Sequence, residues 1–497
     1  MKGGLLNSIT DLLNLEDPNV FVSDIRVEGT TKFITVESHP FARFCPVCGF
    51  RMYSRGIKKR NINHPMLQDT FELRIILKQR RWKCTNPICG FECNETFKFV
   101  NKFRRSTNAT DMLIIDSFRD LSATAVDIAA KFHTSDTHVL SVFDNYVKLN
   151  RLELTDAISV DEVHLEMDEY CKYALVIQDF HTGEPIDLLI SRRTNVTEPY
   201  FANIPKEERY SVKYLISDMY NPYICFVDKY FPNAVSVVDS FHVVQWINHQ
   251  IEMYLRRLIK EFKARDQERA DRISSEKGFH VVPQISNEIY LLQKFRWLIL
   301  MNQSSITYHA DTRFDRHFRY FMNTYDYERR LFDVNPNLRQ LRDLKEIYVQ
   351  FNERNAGNPE QAVIEIEDLI DMYLRCDQRI FVDFALLLSK HKERIINSFI
   401  MVSRIGPGGI YDSRLSNGPM ESLNRKVKDL KRLGRGYRNF SHFRNRFLFS
   451  ARNNPTINGN PDARPELNYI EEDVRGKMIL PSHGKDFLHP TVSSFFT

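Results

Sequence analysis

No stretch of this 497-residue chain is apolar for long enough to cross a bilayer, and no basic-then-apolar leader follows Met1. The absences predict a cytoplasmic protein with no membrane partner. There is no fixed-period repeat and no low-complexity tract. Cysteine is scarce and unevenly placed: five of the eight crowd between residues 45 and 93, which excludes a secreted disulfide framework and points to a metal site. Cys171, Cys225 and Cys376 stand alone in apolar contexts and read as packing residues. With 42% hydrophobic and 27% charged residues, the chain is long enough for roughly two to four globular domains. The net charge of +5 is too small to announce a polyanionic partner, but residues 422–446, "SLNRKVKDLKRLGRGYRNFSHFRNR", hold nine Lys/Arg against one Asp. That basic stripe, rather than the total, is the useful signal.

The patterning predicts a multidomain α+β and α/β protein. Residues 1–105 read as a lead-in, with a hairpin in "FVSDIRVEGTTKFITVES", and a zinc-ribbon-like module. The module rests on "CPVCGF" at 45–50 and "RRWKCTNPICGFEC" at 80–93, joined by strands. Residues 106–150 hold a helix-turn-helix candidate, in which "HTSDT" separates two helical stretches and starts the second. From 151 to 243 the strands "AISVDEVHL", "YALVIQDF" and "PIDLLIS" precede a short helix, the strand "VKYLISDMY", another helix and the strand "AVSVVDSFH". Three antiparallel strands followed by αβαβ is the order of a ribonuclease H-like mixed sheet. Strand signals nearly vanish over 244–400, which predicts an all-helical insertion. Residues 401–452 complete the catalytic domain with a basic helix, and 453–497 form a tail.

A tight Cys-x-x-Cys turn supplies two thiolates to a tetrahedral zinc, and a second knuckle supplies two more. Cys45 and Cys48 form the first pair. Cys84 and Cys89 are favoured for the second, with Cys93 competing with Cys89 for the fourth place. In the helix-turn-helix, a second helix from about Ser135 to Val147 would enter the major groove of DNA, with Ser135, Thr137 and His138 near base edges.

The apolar strand "ISVDEVHL" ends in Asp161 and Glu162, at the carboxyl end of a strand where α/β sheets bind ligands. In a ribonuclease H-like sheet the fourth strand lies beside the first, so Asp218 of "LISDMY" comes next to Asp161. Two-metal phosphoryl transfer needs oxygen ligands for two divalent ions and usually a third acid, which Glu421 supplies. It lies in the first turn of a helix started by Asn417, Gly418 and Pro419, with Lys428 two turns along the same face. The basic side chains of that region, Arg425, Lys428, Lys431, Arg432 and Arg435, are candidates for holding phosphates. Glu162 leaves the opposite face of the strand and is expected to be solvent-facing or supporting. Asp239 and His242 close the fifth strand and are expected to support the site or touch DNA.

The motifs "CPVCG", "RRWKC", the helix-turn-helix, "SVDEVHL", "LISDMYNPY", "VVDSFHVVQWIN", "KFRWLIL" and "SNGPMESLNRKVKDLKRLGRGYRNFSHFRNR" resemble, in that order, the transposases of the ISL-three family of bacterial insertion sequences. The resemblance runs from about residue 41 to 450 and departs from the family around "CGFECNETF", where there is an extra cysteine. It implies that Asp161, Asp218 and Glu421 are a DDE triad holding two Mg2+ (or Mn2+) ions, and that a structural Zn2+ and the helix-turn-helix serve binding of the element's terminal inverted repeats. One Mg2+ would activate water, and later a 3′-hydroxyl, and the other would stabilise the leaving oxygen, with Asp161 bridging both. Double-stranded DNA, as inverted repeats and as target, is the implied partner, met by a homodimer associated with the nucleoid. Two rivals remain: a DNA-binding regulator derived from a transposase, and a structure-specific nuclease such as a junction resolvase.

Overall fold

The computed structural model describes residues 9–65, 72–102, 104–434 and 436–459. Arg435 and the tail beyond 459 lie outside the described residues. The chain divides into two compact units, one built on Met1–Ile114, Ala129–Tyr146 and Gly459–Thr497, the other on Ile115–Ile128 and Val147–Asn458.

The first unit is organised by a sheet of order β1-β2-β4-β3, with β5 (Glu92–Asn94) added to β4. The expected hairpin is β1 (Val20–Glu28) and β2 (Thr31–Ser38), linked by two residues of which Gly29 has φ +61°. β3 (Met52–His64) and β4 (Glu72–Cys84) are long antiparallel partners, and β4 lies parallel to β2. Alternation explains β4: Leu73, Ile75 and Leu77 are buried against Val22, Val36 and Ile62 while the residues between them reach outward. Three helices follow, α1 (Asn108–Ser117), α2 (Ala125–Lys131) and α3 (Asp136–Tyr146). The turn before α3 holds His133 at φ +48°.

In the second unit β6 (Ala157–His164), β7 (Tyr173–Asp179) and β8 (Pro185–Leu189) are antiparallel neighbours. β9 (Tyr214–Ser217) runs parallel to β6, and β10 (Val235–Val238) runs parallel to β9. The order is β10-β9-β6-β7-β8. Three helices lie between strands: α4 (Thr194–Ala202), α5 (Lys206–Ser211) and α6 (Asn221–Tyr230). On one face Ile158, Val160, Leu175 and Ile177 pack on Phe201 of α4 and Tyr223 and Phe226 of α6. On the other, Ala157, Ile216 and Val237 meet Phe180 and Leu415. Burial on both faces is why these strands read as apolar runs.

The sheet is interrupted by α7 (Ser240–Lys277), whose 38 residues span about 57 Å at 1.5 Å per residue. It ends at Gly278 with φ +68°, a left-handed cap. α8 (Asn287–Lys294) and α9 (Trp297–Leu300) lead to a hairpin, β11 (Arg313–Asp315) with β12 (Tyr320–Met322). α10 (Thr324–Val334), α11 (Asn337–Arg354), α12 (Pro359–Leu374) and α13 (Arg379–Asn397) complete the insertion around one apolar core. The insertion is therefore not all-helical as expected. A three-residue strand carries too few alternating positions to be seen in a sequence. A second hairpin, β13 (Met401–Gly406) and β14 (Gly409–Arg414), returns the chain to α14 (Gly418–Leu433) and α15 (Phe440–Ala451). Among the described residues no helix is long and apolar enough to cross a membrane.

The basic stripe at 422–446 is not uniformly a surface. Arg444 is paired with the buried Asp187 at 2.6 Å. Arg446 is 1% exposed and donates to the carbonyls of Phe118, Asp120 and Ala123, tying together a loop in which Asp120 also accepts from the Ala123 N–H. Replacing Arg446 by Met keeps much of the side chain's bulk but leaves several buried carbonyls without donors. A loss of about 2–4 kcal/mol is expected, since hydrogen bonds to charged groups contribute about 1.5–3 kcal/mol and an orphaned group adds its desolvation. Urea unfolding of the Arg446→Met chain measures it; an unchanged midpoint would show that solvent reaches those carbonyls.

Candidate active site and cysteine centre

Each cysteine knuckle of the first unit closes on a glycine in the left-handed region, Gly49 at φ +73° and Gly90 at φ +60°. Gly49 N–H donates to the Cys45 carbonyl at 2.9 Å, and Cys89 N–H to the Asn86 carbonyl at 3.2 Å, so each turn folds its two sulfurs inward. Cys45 Sγ lies 3.7 Å from Cys89 Sγ, Cys48 Sγ lies 3.4 Å from Cys84 Sγ, and all four sulfurs are within 4.8 Å of one another. A zinc tetrahedron with Zn–S of about 2.3 Å has edges of about 3.8 Å, so the four thiols have the spacing of a closed metal site. Cys93 is not in the group: it sits on β5 opposite Trp82, and the chain reversal at Asn86 delivers Cys89 instead. Burial opposes a Cys45 thiolate, but the N–H groups of Cys48 and Val47 and the neighbouring thiols bring its pKa down to about 7. Burial and the adjacent sulfurs push Cys84 up to about 12, so without a cation the cluster resists full ionisation. Of the three isolated cysteines, Cys171 is buried and Cys376 half-buried, but Cys225 is exposed on α6 and does not pack.

Ser135 caps α3, its Oγ accepting from His138 N–H at 3.1 Å. Ser135 and Thr137 are exposed. His138, expected beside them at base edges, turns the other way: its Nε2 meets Ser106 Oγ at 3.2 Å, Ser106 bonds Asp111, and burial lowers the imidazole pKa. Its position adjoins Val139, which is fully buried, and this places the ring on the inner side of the helix.

In the second unit the pairing of β6 with β9 matches Ile158 to Leu215 and Ser159 to Ile216. Continuing that register by two residues sets Asp161 beside Asp218, on the same face of the sheet. The juxtaposition shows in their charges. Burial pushes Asp161 up to about 6, with the charges of Asp218 and Glu162 adding to the rise and the Glu162 N–H and His242 opposing it. Burial also raises Asp218, helped by Glu162 and opposed by the Tyr220 N–H, His242 and Arg192. Asp161 is held at both oxygens: Oδ1 accepts from Glu162 N–H at 2.8 Å, and Oδ2 accepts from Asn424 Nδ2 at 2.8 Å.

Asn424 belongs to α14, which buries Met420, Leu423, Asn424, Val427 and Leu430 and docks along β6. Glu421 stands one turn before Asn424, in the first turn, with its side chain exposed. Asn417 begins the helix as expected, with Pro419 in the first turn, but its buried side chain makes no capping bond. Arg425 and Lys428 follow Glu421 at helical spacing and are exposed like it. Lys431 instead donates to the Leu165 carbonyl and lies 3.8 Å from Glu166, while exposed Arg432 pairs with Asp429 at 3.2 Å. Asp239 accepts from the N–H groups of Phe241 and Asn417 and so holds the starts of α7 and α14 together. An open groove of about 800 Å³ begins at Asp218 and Tyr220, passes His242 and continues past Trp246, His249 and Arg296.

Of the two places expected for Glu162, the structure gives the supporting one rather than the solvent-facing one. It does leave the face opposite to Asp161, but that face is covered by α6 and not by water. Glu162 Oε1 is ion-paired with Arg192 and Oε2 accepts from Tyr223 OH at 3.0 Å. Arg192 is itself stacked between Tyr173, at 4.5 Å, and Tyr220, at 5.0 Å. Residue spacing could not reveal a partner thirty positions away; Asn424, by contrast, carried a signal in lying three residues after Glu421 on one helix. Glu162→Gln should therefore cost about 1–2 kcal/mol in stability, a hydrogen-bonded pair discounted for its partial exposure. A urea midpoint equal to the wild type's would show that Arg192 and Tyr223 find other partners.

A transposase family model, that of the ISL-three group, matches residues 158–447, which spans the sheet, the insertion and α14 of the second unit. Among curated proteins, the transposase for insertion sequence element IS1001 of Bordetella parapertussis is 22% identical over 292 residues, 58% of this chain. The matched part spans 66% of that relative's own length. With more than half of its residues matched and Asp161, Asp218 and Glu421 all inside the match, the chain belongs to the ISL-three family of transposases.

Proposed function

We propose that the protein is an active DDE transposase that binds the terminal inverted repeats of its insertion sequence and cuts and joins DNA strands there. The observation that carries the reading is the parallel register of β6 and β9, which sets Asp161 beside Asp218 under the helix that bears Glu421. The strand order β8-β7-β6-β9-β10, antiparallel through the first three and parallel thereafter, supports a ribonuclease H-like catalytic domain. Asp161, Asp218 and Glu421 would hold two Mg2+ ions. The donor set fits: hard carboxylate oxygens suit Mg2+, Asp161 and Asp218 are raised by burial and by neighbouring carboxylates, a rise that a cation would relieve, and the buried Oδ1 of Asn424 has no partner among the described residues. When bound, such ions stabilise the attacking and leaving oxygens of an in-line displacement at phosphorus.

The residues of the chain supply the geometry. Asn424 and the Glu162 N–H fix the Asp161 carboxylate in one orientation, and Arg192 and Tyr223 keep Glu162 from swinging toward the same site. Exposed Glu421 is free to close on the pair, while Arg425 and Lys428 behind it, with Arg432, hold phosphates of the bound strand. The groove past His242 offers that strand a path. In the first unit the cysteine centre would hold a structural zinc, and Ser135 and Thr137 at the start of α3 would meet base edges.

Asp161→Asn, Asp218→Asn and Glu421→Gln should each lower cleavage of a labelled terminal-repeat duplex at least on the order of 10²-fold, with repeat binding retained. Glu198→Gln, which alters a half-exposed residue paired with Lys229, is the control expected to cleave normally. Because the Asp161 carboxyl sits near 6, protons compete with the cation as pH falls through that value. The Mg2+ concentration for half-maximal cleavage should rise below about pH 6 and level off above it. Full activity in Glu421→Gln would move the third acid elsewhere.

The purified chain should carry one zinc. Metal analysis should show it lost in Cys48→Ser and Cys89→Ser and kept in Cys93→Ser; a folded, metal-free wild type would sink the assignment.

A further inference from the structure

The β11–β12 hairpin in the helical insertion presents a surface that the catalytic reading leaves unused. Its residues 312–321 read "TRFDRHFRYF", with three arginines, four aromatic rings counting Phe318, and no aliphatic side chain. Phe314 and Phe321 face each other across the two strands, their ring centroids 5.4 Å apart in an edge-to-face pair. Both remain outside: Phe314 is 54% exposed, Phe321 58% and the neighbouring Tyr320 63%. Arg313, Arg316 and Arg319 are exposed around them, and none is ion-paired among the described residues.

Beneath this surface the hairpin is rigidly mounted. Asp315, 4% exposed, accepts from His317 N–H at 2.8 Å, Phe318 N–H at 3.0 Å, Tyr290 OH at 2.6 Å and Tyr327 OH at 2.8 Å. Tyr290 stacks on His317 at 4.1 Å, and Tyr327 on Phe295 at 3.8 Å. Four donors hold the one carboxylate of the segment on its inner side, so the outer side is left with arginines and rings alone.

We propose that this hairpin is a stacking platform for unpaired nucleotides of DNA. Exposed rings held at fixed spacing accept bases of any sequence on their π-faces, and arginines between them meet the phosphates that connect those bases. A duplex hides its base faces, so the rings distinguish opened DNA from paired DNA. Charge complementarity argues for this occupant: Arg313, Arg316 and Arg319 stand exposed and without ion pairs among the described residues around the rings, which suits a chain that carries a phosphate for every base it stacks. The inference rests on the reading that the protein handles DNA, and it deepens that reading by giving the insertion a substrate of its own.

The test uses the full chain with two probes, a 20-nucleotide oligothymidine and a terminal-repeat duplex. The wild type should bind the oligothymidine, and Phe314→Ala and Phe321→Ala should each weaken that binding at least about 5-fold while leaving duplex binding unchanged. Both rings are exposed, so circular dichroism should show the fold intact. Arg316→Gln, and Arg319→Asn at its left-handed φ of +54°, should each reduce the slope of log affinity against log salt by about 0.7 on the single strand. Oligothymidine affinity unaltered in Phe314→Ala/Phe321→Ala overturns the platform, whatever the duplex does. So does a double variant whose loss is a dissociated dimer seen by sedimentation rather than weaker nucleotide binding. Loss of duplex binding in the wild type with ring-dependent oligothymidine binding would overturn the inverted-repeat reading and leave the platform standing.

Discussion

The hydrogen bond from Asn424 to Asp161 joins residues 263 apart in sequence, and the arrangement of the site depends on it. β6 and β9 can pair by themselves, but they bring only two acids together. Glu421 is carried by α14, beyond the insertion, and its position follows from how that helix lies on the sheet. Met420, Leu423, Val427 and Leu430 supply the adhesion, which is non-directional. Asn424 supplies direction, because its amide reaches Asp161 only in one rotational setting of α14. Asp239 reinforces the same alignment from the other end by holding the start of α7 to the start of α14. An insertion of this size can thus sit inside the sheet of the second unit without loosening it, since the starts of α7 and α14 are tied together through Asp239.

The acidic cluster is poised by opposing terms. Burial raises both Asp161 and Asp218, the charge of Glu162 adds to each and that of Asp218 to Asp161, while His242 restrains both and Arg192 restrains Asp218. Arg192 does this without entering the face that holds the acids, because Glu162 anchors it on the opposite face between two tyrosines. An unpaired arginine next to the carboxylates would compete for the place of a cation; a paired one tempers the charge of Asp218 from the opposite face. The cysteine centre shows the same logic with softer ligands. Its four sulfurs are preorganised by two glycine-closed turns and the edges of long strands, and their resistance to full ionisation is one that a cation would relieve.

Arginine serves two unrelated purposes within one basic segment. On α14 it faces water beside the site, whereas Arg444 and Arg446 on α15 are folded inward to a buried carboxylate and to loop carbonyls. Charge density along a sequence cannot separate these uses, since the side chain is the same and only its surroundings differ. In the hairpin the same blindness runs the other way. Four aromatic residues in ten would be read as core, yet the strands are so short that their outer face finds nothing to pack against.

What the sequence by itself determined is whatever depends on local period and local chemistry. Apolar runs bounded by turns defined β6, β7 and β8, alternation defined β4, and the spacing of Cys45 and Cys48 marked a knuckle; each concerns residues that meet within one turn or one strand. Period two also put Asp161 and Glu162 on opposite faces correctly. Tertiary structure alone decided what covers each face: Arg192 and Tyr223 over Glu162, Asn424 over Asp161, Ser106 beside His138. It also decided that Cys89 rather than Cys93 completes the sulfur group, because the chain reversal at Asn86 sets which sulfur returns to Cys84. The physical reason is common to all of these. A residue's own conformational preferences act over a few positions, whereas its partners come from segments tens to hundreds of residues away, selected only when the whole core closes.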